Sequence, residues 1–123
     1  MGNPDNQDLR IKYVIFKLKL SMSKQPERIE LSNRVEYLLN GILHRLDGPA
    51  VEWANGDKSW WVDGKRHRLD GPAIERTDGS KEWWVDGKRH RLDGPAIERT
   101  DGSKEWWVDG NNLSEKDFLK KVT

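Results

Sequence analysis

The chain has no cysteine, which excludes a disulfide framework and a thiolate metal site and places no demand on an oxidising compartment. It also lacks an excess of either charge: 22 Lys and Arg stand against 21 Asp and Glu, a net charge of +1. The positive surplus of a phosphate-backbone binder is missing, so no nucleic-acid partner is expected. Long hydrophobic runs are missing too. The most apolar stretch, residues 11–20, is interrupted by Lys12, Lys17 and Lys19 and is shorter than the roughly 20 residues of a membrane span, so no membrane partner is expected. The opening Met1-Gly2-Asn3-Pro4-Asp5-Asn6 lacks the basic and apolar make-up of a secretory leader, and Asn6 stands where a myristoylation signal has Ser or Thr. A cytoplasmic protein is the expectation, and the glycosylation tripeptide Asn112-Leu113-Ser114 is read as a chance match. Walker A, zinc-protease, nucleophile-elbow and kinase patterns are absent, so neither an enzyme nor a cofactor is expected.

What the chain has in excess is tryptophan, seven in 123 residues. Leu, Ile, Val and Phe make up only about a fifth of it, just on the folded side of the composition boundary for disorder. Organisation comes from repetition. Trp60 to Gly87 recurs unchanged as Trp83 to Gly110, a shift of 23 residues. Gly41 to Glu52 is a looser copy of Gly64 to Glu75, and Ile29 to Gly41 reads as a worn hairpin whose turn is one residue shorter. About four hairpins result. Units this short cannot bury a core alone, so they must stack on their neighbours.

Within each unit, Asn55-Gly56, Asp78-Gly79 and Asp101-Gly102 lie between apolar runs and read as two-residue type I′ turns. That loop length sets a register in which Ile74 faces Trp83, Pro72 faces Val85, Ala73 faces Trp84 and Glu75 faces Glu82. One strand face then carries Ile74, Trp83 and Val85 as core. The other displays Trp61, Trp84 and Trp107 over small alanines, with Glu75, Glu82, Glu98 and Glu105 around them. Equivalent side chains stand roughly 10 Å apart, twice the strand spacing. Such a ladder of indoles and acids suits a cationic side chain or a sugar ring. A structural alternative stands beside it, in which the second Trp row packs under a neighbouring unit or a second sheet and Arg68 and Arg91 swing over the acids.

The connector from Lys65 to Pro72, repeated at 88–95, offers His, Arg and Asp. His44, His67 and His90 lie too far apart along the stack to share a zinc ion, which needs ligands about 2.0–2.1 Å away, so no metal site is expected. Asp70 is expected to accept from backbone amides, Gly71 to take a strained φ and Pro72 to open the next strand. At the C-terminus, Ser114 with Asp117 and Leu113 with Phe118 mark a capped helix over residues 115–121, with Phe118, Leu119 and Val122 as its apolar contacts. Residues 9–20 are rich in β-formers and are expected to add an edge strand.

Trp84-Val85-Asp86-Gly87-Lys88-Arg89-His90, followed by Gly94 and Asp101-Gly102, resembles the Trp-x-x-Gly-Lys-x-x-Gly rhythm of MORN repeats. A tighter similarity, over about residues 35–118, is to the His-Arg-x-Asp-Gly-Pro-Ala repeat proteins of bacteriophages, bacteria and giant viruses. Arg91-Leu92-Asp93-Gly94 departs from the compact Gly-x-Gly of ordinary MORN units, so lipid binding is not carried over. The resemblance implies successive hairpins used for protein contact, with an antitoxin-like role in some variants. The expectation is therefore an all-β chain of tandem antiparallel hairpins forming an elongated sheet or solenoid. Residues 1–27 form an N-terminal segment, 28–110 the array and 111–123 a helical cap. Functionally it is expected to be a non-catalytic module for protein binding or scaffolding, a phage or bacterial accessory protein, with homodimers forming through an exposed Trp face. A glycan or cell-wall binder and an antitoxin-like or host-defence inhibitor are the alternatives.

Overall fold

A computed structural model describes residues 8–15 and 24–123. After a helix α1 over residues 8–15, the first unit contains β1 (Glu27–Glu30), β2 (Arg34–Leu39) and β3 (Ile42–Leu43). The second contains β4 (Val51–Trp53), β5 (Lys58–Ser59), β6 (Trp61–Val62) and β7 (Lys65–Arg66), and the third β8 (Ile74–Glu75), β9 (Lys81–Glu82), β10 (Trp84–Val85) and β11 (Lys88–Arg89). β12 (Ile97–Glu98), β13 (Lys104–Val108) and β14 (Asn111–Leu113) form the fourth, and α2 (Glu115–Val122) ends the chain. The tandem hairpin array is thus real. One hairpin per unit pairs edge to edge with the next in a ten-stranded antiparallel sheet. A second, shorter hairpin follows in each unit: β2 with β3, β6 with β7, β10 with β11 and β13 with β14. Backbone bonds from Arg68 N–H to Trp84 O and from Gly87 N–H to Arg66 O, 3.0 and 2.9 Å, join these shorter hairpins to one another.

Asp-Gly builds two different turns. At Val85-Asp86-Gly87-Lys88 both central residues are left-handed, φ +51° and +77°, and Val85 pairs with Lys88; this is a type I′ hairpin turn. At Thr77-Asp78-Gly79 only Gly79 is left-handed, φ +95°. Gly79 N–H donates to Arg76 O at 2.9 Å and Arg76 N–H to Ser80 O at 3.0 Å, closing a three-residue loop. The two-residue loops expected at Asn55-Gly56, Asp78-Gly79 and Asp101-Gly102 are therefore corrected to three residues. The cause is local. Asp78 Oδ1 accepts from Ser80 N–H and Oγ at 2.8 and 2.7 Å, an Asx turn that keeps Asp78 itself out of the left-handed region. Asp101 and Asn55 cap Ser103 and Asp57 in the same way. In the first hairpin Leu31 N–H donates to Arg34 O at 2.8 Å around Ser32-Asn33, the turn one residue shorter that the sequence signals.

One added loop residue slips the register and exchanges the faces. Ile74 pairs with Glu82 and Glu75 with Lys81. Ile74, Glu82 and Trp84 therefore share one face, while Trp83 moves to the other with Ala73 and Glu75, the reverse of the expected partition. Ala50, Ala73 and Ala96 are fully buried, and Val51, Ile74, Ile97, Val108 and Phe118 nearly so, but among the described residues no large side chain is wholly enclosed. Both indoles of each doublet are half-buried, so the expected division into an inward and an outward indole does not hold.

At the C-terminus Ser114 Oγ accepts from Asp117 N–H at 3.1 Å, and Phe118 is buried as α2 packs on β13 and β14. Leu119 and Val122, expected to pack as well, are exposed; an eight-residue helix lying on one hairpin has room to bury a single side chain. Where an edge strand was expected over residues 9–20, residues 8–15 are helical and 16–20 lie outside the described residues. Asp8 and Lys12 form an i,i+4 ion pair at 3.3 Å. That local support favours helix, whereas β-propensity depends on neighbouring strands to pack against. No helix among the described residues is long and apolar enough to cross a membrane.

Candidate functional site

On the face that carries Ile74, the type I′ turns of the second and third units bring the second indole opposite an arginine, Trp61 with Arg66 and Trp84 with Arg89, while Trp107 faces Asn112. The guanidinium of Arg66 lies 5.1 Å from the Trp61 ring centroid and 5.2 Å from that of Trp84; Arg89 lies 5.1 Å from Trp84 and 5.0 Å from Trp107. The result is an alternating stack, Trp61-Arg66-Trp84-Arg89-Trp107, held by cation–π attraction. The indole Nε1–H groups donate to Ser59 Oγ at 2.8 Å, Glu82 Oε1 at 3.3 Å and Glu105 Oε1 at 3.0 Å. Glu82 is buried and bridges Arg76 at 2.8 Å and Arg89 at 3.6 Å. Glu105 pairs with Arg99, and hydrogen bonds from Arg99 and Trp107 hold its carboxyl below the usual range.

The opposite face repeats the device with other partners. Arg45, Arg68 and Arg91 lie 3.9, 3.9 and 3.8 Å from the ring centroids of Tyr37, Trp60 and Trp83. Arg68 donates to Asp70 at 2.9 Å, to the Pro72 carbonyl at 3.0 Å and to Glu75 at 3.1 Å, and Arg91 treats Asp93, Pro95 and Glu98 alike. Hydrogen bonds from these arginines hold the carboxyls of Asp70 and Asp93 below their ordinary range. The connector is thus an arginine clamp. Gly71 does not need a positive φ, contrary to expectation; a Cβ there would fall 2.9 Å from Arg68 Cζ, so its smallness makes room for the guanidinium. His67 Nδ1 accepts from Asp86 N–H at 3.0 Å, as His44 and His90 do from Asp63 and Asp109, tying each connector to the next unit's type I′ turn.

Of the residues singled out from sequence, Trp61, Trp84, Trp107, Glu82 and Glu105 come together on one face, while Glu75 and Glu98 stand on the other. The expected like-charge pair Glu75 and Glu82 does not form, and each acid has an arginine instead, as the structural alternative anticipated for Arg68 and Arg91. No protein-family model, curated protein or solved structure matches the chain. The sequence reading missed Arg66 and Arg89. Their signal was the second Asp-Gly of each unit: a type I′ turn at Asp86-Gly87 places Arg89 across from Trp84 by arithmetic alone.

With indoles and acids of the ladder satisfied from within, the apolar groups left exposed along the array include a leucine on each connector. Leu46 and Leu69 are each 80% exposed and Leu92 56%, at one position of three successive connectors. Open troughs lie between them. One is lined by Trp60, Val62 and His67 with Leu46 and Leu69, and the next by Trp83, Val85 and His90 with Leu69 and Leu92.

Proposed function

We propose that this chain is a non-catalytic, MORN-like repeat module that binds another protein through its connector edge. The observation that carries this reading is the row of exposed leucines at positions 46, 69 and 92, recurring once per unit beside half-buried indoles and Arg-Asp pairs. A spaced apolar row with a charged rim matches the extended, many-point contact that repeat arrays make with proteins. An inhibitor or antitoxin-like protein acting by stoichiometric capture, as a phage or bacterial accessory factor in the cytoplasm, is the same reading with a more specific partner. Glycan stacking on the central indole receives less support, because Arg66 and Arg89 cover both faces of Trp84.

The test compares capture by the wild type with capture by the Leu46→Asp, Leu69→Asp, Leu92→Asp variant, whose folding is checked by near-UV circular dichroism. The reading expects a discrete protein at fixed stoichiometry with the wild type and at least tenfold less with the variant. Equal capture by both, or no stoichiometric partner, refutes it. Quenching or enhancement of indole fluorescence by saturating choline or cell-wall oligosaccharide would instead favour the glycan reading.

A further inference from the structure

The four units are not equivalent on the ladder face. At the position where the other units place Glu36, Glu82 and Glu105, the second unit has Ser59. This substitution changes the charge state of the stack. Arg89 has Glu82 at 3.6 Å, whereas Arg66, its counterpart one unit earlier, forms no ion pair with any described residue; the buried Nε of each of the two arginines has no hydrogen-bond acceptor. Arg66 is nevertheless held in place by the two indoles that sandwich it. Ser59 Oγ accepts from Trp61 Nε1–H, which leaves its own O–H free to donate. Both groups line a pocket of about 440 Å³, against about 330 Å³ for the corresponding pocket lined by Glu82 and Arg89. The acids that also line the larger pocket are already engaged: Glu36 accepts from Arg34 at 2.8 Å, and Asp57 accepts from Thr77 N–H at 2.9 Å.

We propose that the corner formed by Arg66, Ser59 and Trp61 is a binding site for a carboxylate, supplied from outside the chain where the other units supply their own. The third unit argues for a carboxylate over other anions, since there the homologous corner, built by Arg89 and Trp84, is filled by Glu82. The site is open and offers a single unpaired guanidinium, so it holds a free small acid only weakly, on the order of millimolar. An acidic side chain on a polypeptide would gain from adjacent contacts. This inference does not depend on the connector edge.

The experiment follows the side-chain N–H resonances of Trp61 and Arg66 during titration with sodium acetate, at ionic strength held constant with chloride. Saturable shifts at Trp61 and Arg66, at least fivefold larger than those at Trp84 and Arg89, are expected. Ser59→Glu should abolish them, and it is expected to fold because Glu occupies that position in the other three units. Arg66→Gln should weaken acetate binding at least tenfold. A glutamate hexapeptide titrated in parallel separates the sources: tighter binding per carboxylate than acetate identifies a polypeptide, and equal binding a free small acid. Unaltered resonances, equal shifts in Ser59→Glu, or tighter binding of inorganic phosphate would overturn the proposal.

Discussion

An arginine lying flat on an indole fills the place that a leucine takes in a thicker protein. Arg68 covers Trp60 and spends its N–H groups on Asp70, the Pro72 carbonyl and Glu75, so one side chain joins packing to polar satisfaction. Lysine cannot reproduce a planar fork, and an apolar stem cannot satisfy the Pro72 carbonyl. Arg68→Met should therefore lose roughly 1–3 kcal/mol of stability in urea unfolding, with Arg68→Lys recovering less than half of it. A loss no larger than that of a surface substitution would show that the clamp is ornamental. The carboxyls of Asp78 and Asp101, held low by their bonds to Ser80 and Ser103, and those of Asp57, Asp70 and Asp93 act in one direction. A carboxylate depressed in the folded state contributes fully above its unfolded pKa of about 4 and loses that contribution as pH falls through the folded value. The contribution of these carboxylates to the melting temperature should be lost below about pH 4, and the fall there should be shallower in Asp78→Asn, Asp101→Asn.

At the scale of elements, the same dipeptide does two jobs. Asp86 sits in the left-handed region, where most L-residues are strained by about 1 kcal/mol or more, whereas Asp78 is in an ordinary conformation and works through its side chain. Replacement by glycine should separate the two. Asp86→Gly should be neutral or stabilising while Asp86→Ala destabilises; Asp78→Gly and Asp78→Ala should both lower the midpoint of chemical denaturation. This is also where the sequence stopped being legible. Asp-Gly announces a hairpin, but a two-residue and a three-residue loop differ only in whether the next residue, Ser80 or Lys88, can be capped by the aspartate. The sequence reading chose the wrong one of the pair, and a single-residue slip then exchanged Trp83 for Trp84. The C-terminal helix was readable because its signals are contiguous: Ser114, Asp117 and Phe118 lie within five positions. Ser114→Ala should cost about 1 kcal/mol and Phe118→Ala about 3 kcal/mol, both read from thermal melts. The α1 segment was misread for the opposite reason, since β-formers make a strand only where a neighbouring strand accepts them.

For the whole molecule, stability should be shared between the units and the joints that link them. The interior is a line of alanines and β-branched residues, and the principal contacts link elements adjacent along the array. Each unit is fastened to the next by repeated bonds, of which His67 Nδ1 to Asp86 N–H and Arg68 N–H to Trp84 O are examples. A chain built this way behaves as a sum of unit and joint terms, so shortening it should preserve its architecture while removing one term of each kind. Deletion of residues 65–87 joins Gly64 to Lys88, a junction with the same flanking residues as Gly87 to Lys88, and keeps every remaining joint between homologous surfaces. The shortened chain should fold with unchanged far-UV circular dichroism per residue. Its urea m-value should fall by about a fifth, in line with the surface lost, and its midpoint should fall as well. A deletion that abolished folding would mean the four units form one indivisible core. A midpoint unaffected by length would mean that stability comes from within units, and the guanidinium and indole stack would then have to be reread as decoration on self-sufficient hairpins.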